Sequence, residues 1–192
     1  MNRKIFLLLL ALGCSLSVPA QQVALKTNLL YWATATPNIG AEVALSKHST
    51  LSVSANYNPW TIGSDNKIQH WFIQPEYRYW LCEKYTRSYF GVHLIGGEFE
   101  VGGFKVPFGL FKRLQNHYYK GSAIGAGISY GYHFYISPHW NLEAMVGVGL
   151  VRVKYHAEPV SGAKERYQDR TRILPVPTEV GVSFVYLFNS RK

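Results

Sequence analysis

The sequence predicts an all-β fold, an up-and-down antiparallel transmembrane β-barrel of about eight strands. Three observations predict it. The segment from Thr178 to Phe188 places Val180, Val182, Phe184, Tyr186 and Phe188 on one face and Glu179, Gly181, Ser183, Val185 and Leu187 on the other, because side chains alternate across a strand. The rest of the chain parses into period-two segments divided by turn signals, about eight in all, which is the smallest usual membrane barrel. At the start, Arg3 and Lys4 precede a short apolar run, Ile5 to Leu12, and Val18-Pro19-Ala20 offers small residues before Gln21. That is the pattern of a secretory signal.

The domain reading is therefore a signal peptide over 1–20 and an outer-membrane barrel over 21–192, with cleavage near Ala20-Gln21. The apolar run is too short to cross a bilayer as a helix, which takes roughly 20 residues. Gly13-Cys14 suggests a lipidated N-terminus, but Ala11 and Leu12 fit a lipobox poorly. Losing Arg3 and Lys4 lowers the formal net charge of +9 by two and leaves Cys82 as the sole cysteine, so no intramolecular disulfide is expected. Aromatic residues make up 15% of the chain and glycine is abundant, a composition that suits strands.

The first segment runs from Val23 to about Ala33, with Leu25, Thr27, Leu29 and Tyr31 opposite Lys26 and Asn28. Pro37-Asn38 turns the chain into a second, with Ile39, Ala41, Val43 and Leu45 on one face. A third sets Leu51, Val53, Ala55 and Tyr57 against Ser52, Ser54, Asn56 and Asn58. In the fourth, Trp71, Ile73, Tyr77 and Tyr79 oppose Gln74, Glu76 and Arg78. Pro75 on its outer face must lose a ladder hydrogen bond or mark a bulge. The fifth spans Ser88 to Gly97. The sixth alternates Ile124, Ala126, Ile128, Tyr130, Tyr132 and Phe134 with glycines, Ser129 and His133, and the seventh runs through Leu142 to Leu150. Glu98–Lys120 and about Tyr155–Leu174 read as long loops. The second, fourth and sixth connections are short and the third, fifth and seventh long, as expected of periplasmic turns and external loops. The short first connection breaks the pattern.

Alternation alone does not say which face is inside. A soluble barrel is apolar within and polar without. Here Lys26, Glu42, Glu76, Arg78, Glu143 and Glu179 share a face with many glycines, and a narrow lumen needs small residues beside bulky charged ones. The expectation is a lumenal polar network of those six residues, mutually paired because unpaired buried charge is costly. Trp32, Trp60, Trp71, Trp80 and Trp140 fall near strand ends, where an aromatic girdle would sit. The closing strand also has the polar–Gly–spaced-hydrophobic pattern read by barrel-assembly machinery, an expected partner.

The segments Ala24-Leu25-Lys26-Thr27-Asn28-Leu29-Leu30-Tyr31, Asn56-Tyr57-Asn58-Pro59-Trp60 and His70-Trp71-Phe72-Ile73-Gln74-Pro75-Glu76-Tyr77-Arg78-Tyr79-Trp80 resemble a family of small, functionally uncharacterised outer-membrane β-barrels from Bacteroidota, catalogued as a domain of unknown function. The resemblance runs over essentially the whole mature chain. It implies a barrel, an outer-membrane address and, through members associated with fimbrial gene clusters, a role in surface assembly. It carries over no catalytic or ligand-binding residue.

Among other candidate sites, Lys105, Lys112, Arg113 and Lys120 lie in or beside the fifth connection, and Arg166, Arg170 and Arg172 in or beside the seventh. External basic loops of this kind fit the phosphates and carboxylates of lipopolysaccharide. The bland alternative is a solvated rim. Nucleic acid is not expected as a partner, since no reader motif accompanies the basic charge. For catalysis, His70, His93, His117 and His156 with Ser64, Ser122 or Ser161 supply the residue types but no diagnostic spacing. His48 and His139 sit in turns at the other end. No metal motif is present, and no cofactor is expected. The sequence thus points to a non-enzymatic structural or interaction protein of the outer membrane. The rivals are a lipid- or lipopolysaccharide-modifying barrel enzyme and a soluble periplasmic binding barrel.

Overall fold

Two strand pairings turn a meander into a ring. In the computed structural model, which describes residues 22–62, 66–102, 117–159 and 170–188, the elements follow in the order β1 (Val23–Asn28), α1 (Leu29–Ala33), β2 (Asn38–Ala44), β3 (Ser49–Asn58), β4 (Thr61–Ile62), β5 (Asn66–Trp80), β6 (Arg87–Gly102), β7 (His117–Tyr135), β8 (Trp140–Pro159) and β9 (Arg170–Leu187). Every neighbouring pair is antiparallel. β3 reaches past the two-residue β4 to pair with β5, from Ser49↔Tyr79 to Asn58↔His70. β1 closes on β9, from Ala24↔Leu187 to Asn28↔Ser183. Eight long strands therefore form an up-and-down barrel-like ring with both ends of the chain's strand order at one rim.

The short connections lie at that rim, between β2 and β3, β5 and β6, and β7 and β8. The barrel is taller on one side. β1 to β3 have 6 to 10 residues, whereas β5 to β9 have 15 to 20. The stretches expected as long loops are in part strand: β6 continues to Gly102, β7 begins at His117, β8 reaches Pro159 and β9 starts at Arg170. Their upper ends alternate charged with apolar residues, as in Glu98-Phe99-Glu100-Val101 and Arg152-Val153-Lys154-Tyr155. Backbone pairing with neighbours, such as Glu100↔Lys120 and Lys120↔His156, extends the sheet through them.

The first strand is shorter than expected, ending at Asn28. The Asn38 side chain replaces the ladder there: its Oδ1 accepts from the Asn28 N–H at 2.6 Å and its Nδ2 donates to the Asn28 carbonyl at 3.0 Å. Asn28 in turn caps α1 by accepting from the Leu30 N–H. Leu29 and Tyr31 thus sit on one helical turn at the rim instead of extending the strand.

Pro75 removes a ladder bond without inserting a residue. The β5–β6 register is the same on either side, Ile73↔Gly96 and Glu76↔His93, with a gap at Gln74 and Pro75. A bulge does occur in β9. Gly147 faces Glu179 while Val148 faces Pro177, so Thr178 is the extra residue, and both it and Glu179 are buried.

Polarity is inverted relative to a water-soluble barrel. Ile39, Val92, Leu94, Ile124, Ile128 and Leu150 are each 58–66% exposed on the outside. Inside, the fully or nearly fully buried side chains include Arg78, Glu42, Glu143, His93, Thr50 and Ser52. Trp32, Trp60, Trp71 and Trp140 are about half exposed, but Trp80 is wholly buried and does not belong to an outer girdle. It shares the parity of Glu76 and Arg78, and Tyr79 takes the outward position beside it. The Trp80 ring packs on Tyr89 at 4.8 Å and edge-on to His133 at 4.8 Å, and its Nε1 donates to Thr50 Oγ1 at 2.9 Å. This aromatic plug closes the rim that holds the short turns.

Candidate functional site

Arg78 on β5 is the hub of the interior. Its Nε donates to Glu76 Oε2 at 2.6 Å, and its Nη1 donates to Glu42 Oε2 at 2.8 Å and Glu143 Oε2 at 2.6 Å. The guanidinium lies over the Tyr89 ring, 4.3 Å from its centroid. Lys26 on β1 adds a second cation, 3.8 Å from Glu42 and 3.7 Å from Glu143. Hydroxyls occupy further lone pairs, Thr50 Oγ1 bonding Glu42 Oε1 at 2.6 Å and Ser129 Oγ bonding Glu76 Oε1, and His133 Nε2 lies 2.7 Å from Glu143 Oε2. Charge this deeply buried persists because the partners meet at hydrogen-bonding distance from five different strands.

Glycine makes room for it. A Cβ on Gly40 would stand 2.7 Å from Lys26 Cγ, and one on Gly91 would collide with Glu76 Oε1 and Ser129 Oγ. Of the six residues expected to form a lumenal network, Lys26, Glu42, Glu76, Arg78 and Glu143 meet in this cluster. Glu179 does not join it by an ion pair. It lies instead 3.5 Å from His93 Nδ1, and His93 Nε2 lies 2.7 Å from Thr178 Oγ1. His93 is a candidate base in sequence and falls on the face of Gly91, opposite Phe90, Val92 and Leu94; it is fully buried in the lumen. That parity is the signal that marks it as inward.

At the turn-bearing rim, Tyr85 lies between β5 and β6 with φ of 62°, a left-handed conformation that bulky residues rarely adopt. It is retained because the hydroxyl donates to the Gln22 carbonyl at 3.0 Å beneath the Trp80 ring. Burial first, and then the Glu42 carboxylate, hold the Tyr85 phenol well above its usual range. His48 and His139 bind backbone carbonyls of Cys82 and Leu187 at this same rim.

The opposite rim carries a cleft of about 510 Å³. Trp71, Glu98, Lys120, Ser122 and His156 are among its lining residues, drawn from β5 to β8. His70 also lines it, so the cleft gathers a serine, two histidines and carboxylates. Lys120, expected in an unopposed basic loop, stands 3.8 Å from Glu100, which also pairs with Lys67. Arg170 and Arg172 are exposed at the start of β9. Lys105, Lys112, Arg113 and Arg166, together with Ser64, Ser161 and the segment 1–20 expected as a signal peptide, lie outside the described residues, as does the side chain of His117.

A closed antiparallel up-and-down ring with an apolar exterior and a charged, filled interior defines the class: an all-β barrel of inverted polarity. Residues 5–188 match the family described as "Protein of unknown function (DUF3575)", and the chain belongs to that family. No curated protein and no solved structure matches the chain.

Proposed function

We propose that this is a non-enzymatic barrel of the bacterial outer membrane, of the Bacteroidota type its motifs resemble. It would be delivered by a cleaved signal peptide and barrel-assembly machinery, and would serve a structural or interaction role at the cell envelope linked to surface appendages. The observation that carries the reading is the inverted polarity. A ring of half-exposed aliphatic and aromatic side chains far exceeds the few hundred Å² of apolar patch that soluble monomers tolerate. Lipid is the solvent that such a surface fits. The filled lumen favours a rigid scaffold over a pore, since Arg78, Trp80 and Tyr89 occupy the bore.

The test is membrane fractionation combined with gel mobility of unboiled and boiled protein. Recovery in the outer-membrane fraction with a heat-dependent shift is expected. A soluble periplasmic protein without a shift would overturn the reading.

A second reading, a lipid- or lipopolysaccharide-modifying enzyme, is favoured by one observation. The cleft brings Ser122, His156 and Glu98 to the rim where external lipid headgroups would lie. Loss of lipid A deacylation or lysophospholipid release on Ser122→Ala, with the heat shift retained, would support it. No turnover by wild-type protein would remove it.

A further inference from the structure

The fixed charges of the buried interior are not balanced. Among the described residues it holds two fixed cations, Lys26 and Arg78, against four carboxylates, Glu42, Glu76, Glu143 and Glu179. Arg78 and Lys26 serve the first three of these acids. Glu179 faces His93 instead, and the two atoms that face one another, His93 Nδ1 and Glu179 Oε2, are both buried without a hydrogen-bond partner. His93 is 1% exposed and Glu179 6%. Two unsatisfied polar atoms aimed at each other in a sealed space call for a charge between them.

Glu76 completes the group: one ligand atom from each of Glu76, His93 and Glu179 lies within 4.8 Å of the other two. The separation of 3.5 Å between His93 Nδ1 and Glu179 Oε2 is close to the roughly 3.4 Å edge of a tetrahedral site with bonds of about 2.1 Å. The other imidazole nitrogen is held by Thr178 Oγ1 at 2.7 Å, the outer contact that orients a metal-binding histidine. Glu76 spends one bond on Ser129 and one on Arg78, and each carboxylate oxygen retains a second lone pair. Glu179 also borders an internal cavity of about 20 Å³, room for about one water.

We propose that Glu76, His93 and Glu179 form a binding site for one first-row divalent cation of the Zn²⁺ class within the barrel. One imidazole nitrogen with two carboxylates suits such an ion better than Ca²⁺ or Mg²⁺, which take all-oxygen sets. With the buried His93 and His133 neutral, a dication also cancels the excess of two negative charges. The β9 bulge is what builds the site. By inserting Thr178 it turns two consecutive side chains inward, one to hold the imidazole and one to ligate. The site lies inside the fold and does not depend on where the barrel resides.

The test uses untagged full-length mature protein, refolded from denaturant into detergent with either Zn²⁺ or a chelator and then freed of loose metal. Folded protein, identified by its unboiled mobility, is analysed for zinc by mass spectrometry, and Co²⁺ is used in parallel for its visible absorption. One equivalent of zinc per chain is expected. Glu179→Gln, which keeps the shape, should bind at least 100-fold more weakly, as should His93→Gln, while His139→Gln at the turn rim should bind normally. Absence of zinc from the folded wild type, or equal binding by Glu179→Gln and wild type, would overturn the proposal. The first result would leave a proton as the charge shared by His93 and Glu179.

Discussion

Replacing Arg78 by methionine tests whether the interior network holds the barrel together. The substitution keeps most of the side-chain volume and removes the charge. Three carboxylates, Glu42, Glu76 and Glu143, then lose a donor that stood 2.6 to 2.8 Å away. Lys26 still faces Glu42 and Glu143 at 3.7 to 3.8 Å, whereas Glu76 keeps only the Ser129 hydroxyl among its close donors. Breaking a fully buried ion pair from one side costs about 3–5 kcal/mol, because the orphaned charge remains buried. With three partners orphaned, the upper end is expected, roughly three to four powers of ten in the folding equilibrium. Equilibrium urea unfolding in detergent, followed by Trp fluorescence and by unboiled gel mobility, measures it. The partly exposed Lys67–Glu100 pair at the rim is the control, and Glu100→Gln should cost at most about 1 kcal/mol. A loss for Arg78→Met no larger than that control would refute the reasoning.

Three further outcomes follow from the same geometry. Gly91→Val should prevent formation of the fast-migrating folded band, since its Cβ meets Glu76 and Ser129, while Gly96→Val, whose Cβ meets nothing within 4 Å, should fold normally. Brominated lipid should quench the fluorescence of Trp71 and Trp140 but not that of buried Trp80, as read in single-Trp variants. Tyr85 has a folded-state pKa above that of the unfolded chain, so its contribution is present below about pH 10 and is lost as pH rises beyond it. Stability should therefore fall above about pH 10, and fall less steeply in Tyr85→Phe. Equal slopes in alkaline unfolding titrations would contradict this.

The family's uncharacterised status leaves the interior and the rims as the informative parts of the molecule. The interior is packed and charged, as a rigid scaffold requires. The rim opposite the turns presents a cleft whose walls mix Trp71 with Glu98 and Lys120, a surface of both signs. Strand pairing is the cause. Lys120 belongs to a stretch that is wholly basic in sequence, yet its partner across the ladder is Glu100. Partner searches directed at this rim should therefore start from amphiphilic headgroups or mixed-charge protein surfaces rather than from a purely anionic ligand.

The sequence by itself determined the all-β class, the strand count and the face on which most strand side chains lie. Period-two alternation is a local property, so a few residues such as Ser52-Val53-Ser54 or Gly127-Ile128-Ser129 suffice to read it. It also separated the charged face from the aromatic one, placing Lys26, Glu42, Glu76, Arg78, Glu143 and Glu179 together. Parity held even where composition misled: Trp80 looked like a girdle residue, but its even spacing from Arg78 put it inside. What only the tertiary structure decided is which of those residues meet. That depends on the stagger of strands around the ring, a sum of registers no local pattern contains. Ring closure through Ala24↔Leu187 and Ser49↔Tyr79 brings Lys26 and Arg78 to the same acids. A single extra residue at Thr178 diverts Glu179 to His93 instead. The upper strand ends are less legible because charge replaces the outer apolar face there: Arg152 and Lys154 continue the parity of Val148 and Leu150, although period two persists.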